Sequence, residues 1–163
     1  MENNLVKKIY ILYSKEIYLY IYSICHSKEI AEDLTQETFV KAILSLANSH
    51  KNMRAWLYIV ARNLTYNHLR KHNKEIIKDE IIVEKFNEPM DEIIKNEDKR
   101  YLYKTLFKIK SETREILILK YFNGLSIKEI SSITNLTEQN IKVIIHRGKR
   151  KVRKIMEEEG YEI

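Results

Sequence analysis

Gln139, Lys142, Val143, His146 and Arg147 recur at the three- and four-residue spacing of one helical face. In a DNA major groove, lysine or arginine bonds guanine O6 and N7, and asparagine or glutamine pairs with adenine N6 and N7. Lys149, Arg150, Lys151, Arg153 and Lys154 follow at once, and such charge suits phosphates, which add affinity without sequence information. Base reading requires that this face be held at a fixed angle, and the preceding residues spell the holder. Ser126 is placed to cap a short helix, with Glu129 at the third position of a capping box and Ile127, Ile130 and Ile133 facing inward. Asn135 tolerates left-handed backbone, Leu136 can plug the bend, and Thr137 can cap a second helix. That helix buries Ile141, Ile144 and Ile145 and leaves Glu138 beside the reading residues. The pattern predicts a helix-turn-helix.

A second polar face lies near the other end. After Ser27, residues Ile30, Ala31, Leu34 and Thr38 form one stripe, while Asp33, Gln36, Glu37 and Lys41 fall on another. Around these groups the chain has helical periodicity over residues 5–24, 31–46 and 53–69, then over 99–106, 111–122, 126–134 and 137–156. Ser111 is expected as an N-cap and Gly124 as a stop. Only three glycines and one proline occur in 163 residues, too few turn formers for a strand-rich architecture, so the fold class expected is all-α.

Charge divides the chain. Residues 1–74 hold 11 Lys/Arg against 6 Asp/Glu, residues 75–98 hold 3 against 9, and residues 99–163 hold 15 against 8. Two basic blocks thus flank an acidic segment, which contains Pro89 and reads as a linker. The organisation expected is a helical domain at 1–74, a linker at 75–98 and a helix-turn-helix domain at 99–163. A net charge of +6 points to a polyanionic partner. The longest apolar stretch, residues 17–25, is too short for a bilayer, and charged residues stand where a signal peptide would be apolar. No membrane insertion and a cytoplasmic location are therefore expected. The lone Cys25 excludes an intrachain disulfide, and His68 and His72 lack a third ligand nearby. With no clustered carboxylates or activated nucleophile, no metal, no cofactor and no catalysis are expected.

The run REILILKYFNGLSIKEIS at 114–131, continued by NIKVIIHRGKR at 140–150, resembles region four of RNA polymerase sigma factors. Independently, AEDLTQETFVKA at 31–42 resembles region 2.2, and AWLYIVARNLTYNHLRK at 55–71 resembles regions 2.3 and 2.4. Their order, with a linker between, is similar to the extracytoplasmic function (ECF) type, which has these two domains alone. The resemblance covers nearly all of residues 5–156 apart from the linker.

The resemblance implies binding to RNA polymerase core, through the β′ clamp helices and the β flap, and to promoter DNA at −10 and −35 elements. Asp33, Gln36, Glu37 and Lys41 would meet the polymerase. Asn52, Arg54, Trp56, Arg62, Asn63, Asn67, Arg70 and Lys71 would meet the −10 element. Asn63 would approach a flipped base, the loop at 50–53 would lie near it, and Trp56 is expected chiefly as a core residue. Gln139, Asn140, Lys142, Val143, His146, Arg147, Lys149 and Arg150 would meet the −35 element. Many proteins resembling this family are held by an anti-sigma factor. Asn67, Ser131, Asn135 and Gly148 depart from the common pattern, and Gly148 is expected to weaken its helix by about 1 kcal/mol relative to alanine. A regulator binding duplex DNA alone through residues 111–156 is the alternative reading.

Overall fold

The computed structural model describes residues 2–45, 52–72 and 94–161. The chain divides into two compact units, one centred on residues 1–76 and the other on 77–163. Seven α-helices, and no strand, occur among the described residues.

The first unit packs α1 (Glu2–Cys25), α2 (Lys28–Leu44) and α3 (Met53–Lys71) against one another. Every residue from Ile17 to Cys25 is buried, so this half of α1 has no polar face and serves as the axis of the core. The apolar stretch judged too short for a membrane is core, and no described helix is long and apolar enough to cross one. Tyr20 meets Tyr58 of α3 edge-on at 5.2 Å, and Tyr10 meets Phe39 of α2 at 5.0 Å. Thr35, Thr38 and Thr65 are buried, but each hydroxyl donates to the carbonyl four residues back at 2.6–2.7 Å, so burial leaves no such hydroxyl unsatisfied. His26, at φ +57, ends α1 in left-handed backbone, and Ser27 then caps α2 by accepting from the Ile30 N–H at 3.3 Å.

The second unit comprises α4 (Glu97–Leu106), α5 (Ser111–Leu117), α6 (Ile127–Thr134) and α7 (Glu138–Glu158). Asn96 caps α4 through its side chain, so the helix starts two residues before the expected Lys99. This places Glu97 and Asp98 in the first turn, where acidic side chains suit the helix dipole. Most of the acidic segment lies outside the described residues.

Ser111 is not the N-cap it was expected to be. The extended residue is Lys110, and it caps α5 without a side-chain bond. The turn before it is organised instead by Arg114, 1% exposed, whose guanidinium donates to the Phe107 and Ile109 carbonyls at 3.5 Å and lies 4.7 Å from the Phe107 ring centroid. Beyond Leu117 the helix widens into a π turn, Ile118–Phe122, and Gly124 at φ +63 then turns the chain, as expected of a stop glycine.

Gly148 has a packing role beside its expected cost in helix propensity. A Cβ there would lie 2.7 Å from Thr113 Cγ2 and 2.9 Å from Leu117 Cδ1. The glycine that costs helix propensity is what lets α7 cross close over α5.

Candidate nucleic-acid and polymerase interfaces

The helix-turn-helix forms as its caps dictate. Ser126 Oγ accepts from the Glu129 N–H at 3.1 Å, while Glu129 Oε1 accepts from the Ser126 N–H at 3.0 Å, closing the capping box. Asn135 adopts left-handed backbone at φ +63. The Ser131 hydroxyl donates to the Leu136 carbonyl at 2.6 Å and so braces the turn; Ser131 and Asn135, two of the departures from the common pattern, thus stand at one bend. Thr137 Oγ1 accepts from the Asn140 N–H at 3.1 Å and starts α7. Ile130, Ile133, Ile141 and Ile145 are buried, whereas Ile127, Leu136 and Ile144 are half-buried.

On α7 the residues expected to read bases come together. Gln139, Lys142, Val143, His146 and Arg147 are all exposed and line one shallow depression. Arg150 continues that stripe by helical spacing. Asn140 is exposed but does not line the depression, and its N–H is engaged in the cap. Lys149 is drawn elsewhere, its ammonium 4.9 Å from the Tyr121 ring centroid. Lys151, Arg153 and Lys154 are exposed and lengthen the basic edge.

On α3 the expected residues divide. Asn63, Asn67, Arg70 and Lys71 are exposed and share a stripe by spacing. Arg70 donates to Asn67 Oδ1. Arg62 is half-buried, with its guanidinium 4.7 Å from the Tyr66 ring centroid. Asn52 serves as N-cap, accepting from the Ala55 N–H at 3.0 Å. Arg54 donates Nε and Nη2 to both carboxylate oxygens of Glu16 at 2.7 and 3.0 Å, tying the start of α3 to α1. Tyr58 is buried beside this pair, and burial, then the Glu16 charge, pushes its hydroxyl well above the ordinary tyrosine range. Trp56 is half-buried, while Leu57 beside it is fully buried. His50 and Lys51 lie outside the described residues.

On α2, Asp33, Gln36, Glu37 and Lys41 are exposed, opposite buried Ala31, Leu34, Thr35 and Thr38. Sequence reasoning missed that the same stripe continues through Val40 and Leu44, 52% and 79% exposed. The signal was their spacing of seven and eleven residues from Asp33.

Comparison with known proteins agrees with this division of the chain. The model of Sigma-70 region 2 matches residues 9–75, and that of Sigma-70, region 4 matches residues 99–152. The chain is 33% identical to the ECF RNA polymerase sigma factor SigM of Bacillus subtilis (strain 168), over 91% of this chain and 93% of that protein. It is 31% identical to RNA polymerase sigma factor YlaC of the same organism, over 93% and 91%. Among solved structures, the sigma factor RpoE in complex with the anti-sigma factor NepR from Bartonella quintana has a TM-score of 0.71 at 21% identity, over 93% of this chain and 96% of that one. CnrH, solved in complex with the cytosolic domain of CnrY, has a TM-score of 0.60 at 18% identity, over 96% and 87%. These two likenesses are of fold. Two region matches in the expected order, and two relatives above 30% identity along nearly their whole length, place this chain in the family of ECF RNA polymerase sigma factors.

Proposed function

We propose that this sigma factor carries RNA polymerase core to promoters through two separate DNA readers, α3 at the −10 element and α7 at the −35 element. Catalysis then belongs to the polymerase, and the chain's role is regulatory. The observation that carries the reading is the exposed stripe Gln139, Lys142, Val143, His146 and Arg147, held on a helix capped at its start and fixed by a braced turn. Asn63, Asn67, Arg70 and Lys71 supply amide and cationic groups suited to an extruded base and its backbone. Arg54 and Asn52 act at one remove, by holding the start of α3.

The mixed acidic and apolar face of α2 is assigned to the β′ clamp helices. The β flap is assigned to the second unit, at an apolar cleft between α4, α5 and the C-terminal half of α7, away from the reading stripe. An anti-sigma factor would compete for these surfaces. Two readers borne on one polymerase make the second contact intramolecular, which raises avidity roughly 10²- to 10⁴-fold over either alone. The stand-alone regulator is disfavoured because it leaves the region 2 match without a role.

The test is native-gel binding to sigma-free core polymerase with transcription from a supercoiled genomic template. The wild-type chain is expected to bind and give new discrete transcripts, and Asp33→Ala/Glu37→Ala to lose both. Tight duplex binding by the chain alone, without any core complex, would replace this reading with the stand-alone regulator.

A further inference from the structure

The apolar cleft of the second unit has a volume of about 490 Å3, and Leu102 and Leu106 of α4 face Val152 and Met156 of α7 across it. Its lining also includes Tyr161, a residue beyond the end of α7. Three independent features hold Tyr161 there. Gly160, at φ +68, makes a Schellman turn in which the Gly160 N–H donates to the Glu157 carbonyl and the Tyr161 N–H to the Met156 carbonyl, at 3.1 and 3.0 Å. The Tyr161 ring lies on the Tyr101 ring of α4, with centroids 3.7 Å apart and planes 10° from parallel. The Tyr161 hydroxyl donates to Asp98 at 2.6 Å, while Glu159 accepts from Lys108 and from the Tyr101 hydroxyl.

We propose that Glu159, Gly160 and Tyr161 form a releasable strap that gates this cleft, and that an entering apolar segment of the polymerase displaces Tyr161 from Tyr101. The site of entry rests on the assignment of the β flap to the cleft. All of the strap's polar links are solvent-exposed, and such links contribute little each because water competes for both partners. An apolar segment filling the cleft buries apolar area instead, which is the larger gain. Release is local, since only Glu159 and Gly160 separate the strap's ring from α7. The Lys108 ammonium and then the Tyr101 hydroxyl hold the Glu159 carboxyl below its ordinary range, and the bond to Asp98 pushes Tyr161 up to about 12, so at neutral pH Glu159 is an acceptor and the Tyr161 hydroxyl keeps its proton to donate.

A closed fraction lowers apparent affinity in proportion to the open population. The full chain is compared with Tyr161→Ala, which removes the ring, and Tyr161→Phe, which keeps the stack and loses the Asp98 bond. Two readouts are taken: equilibrium binding of 1-anilinonaphthalene-8-sulfonate as an apolar probe, and affinity for core polymerase. Both are expected to tighten roughly three- to tenfold in Tyr161→Ala and less in Tyr161→Phe, with cooperative thermal unfolding retained. Unchanged or weaker probe binding in a cooperatively folded variant would make Tyr161 a fixed wall and overturn the strap. Tighter probe binding with unchanged core affinity would keep the strap and remove the β flap from the cleft. Should Tyr161→Ala unfold without cooperativity, Tyr161→Phe decides by the same two readouts.

Discussion

The two helices proposed to read DNA use their cations differently. On α7 the side chains of Lys142, His146 and Arg147 stand on an exposed stripe with no ion pair or side-chain hydrogen bond among the described residues. On α3, Arg54 is held by Glu16, Arg62 by Tyr66, and Arg70 bonds Asn67. The helix-turn-helix of the second unit is secured by isoleucine stripes and caps, which leaves the basic stripe of α7 exposed. In the first unit the reading helix is also a core helix, and its cations are partly spent on holding it. Substitution of a basic residue therefore tests binding on α7 and a mixture of folding and binding on α3.

The largest effect is expected where the commitment is deepest. Arg54→Ala leaves the Glu16 carboxylate half-buried without its bidentate partner, and it should destabilise the first unit by about 2 kcal/mol, less than for a fully buried pair because both groups retain solvent. Thermal denaturation checks this, and Glu16→Gln/Arg54→Met should recover part of the loss; an unchanged midpoint for Arg54→Ala would place Arg54 with the uncommitted cations. Arg147→Ala should leave unfolding unchanged while costing about 1–3 kcal/mol of promoter binding at one base position. Equal loss over all promoter variants would move Arg147 to the phosphate class. The smallest effect is expected for Lys151→Ala, which should weaken all sequences alike and reduce the slope of log K against log salt by about 0.9.

What could be read from the sequence was the chemistry that acts within a few residues. Ser126 with Glu129, Asn135, Thr137 and the isoleucine spacing specify the helix-turn-helix because each cap satisfies a backbone group three residues away. The polar face of α2 was legible for the same reason, since period alone sets which residues share a side. Illegible were contacts between distant segments. Glu16 and Arg54 are 38 residues apart, and nothing local marks them as partners. Lys149 looked like one more phosphate contact until Tyr121 was seen beneath it. The serine at 111 had the right type for a cap, but the buried Arg114 fixes the preceding turn and shifts the start of the helix by one residue.

Gly148 turns a missing carbon into a setting of aim. It sits about 15 Å along α7 from Glu138, between the reading stripe and the end that walls the cleft, so it works as a fulcrum under a rigid rod. With a methyl group wedged against Thr113 and Leu117, either those side chains shift or α7 pivots, and in a pivot its far end sweeps further than the fulcrum moves. Hydrogen bonds to base edges lose strength within tenths of an ångström and tens of degrees. If α7 reads the −35 element as proposed, Gly148 would influence that reading from inside the core, without touching a base.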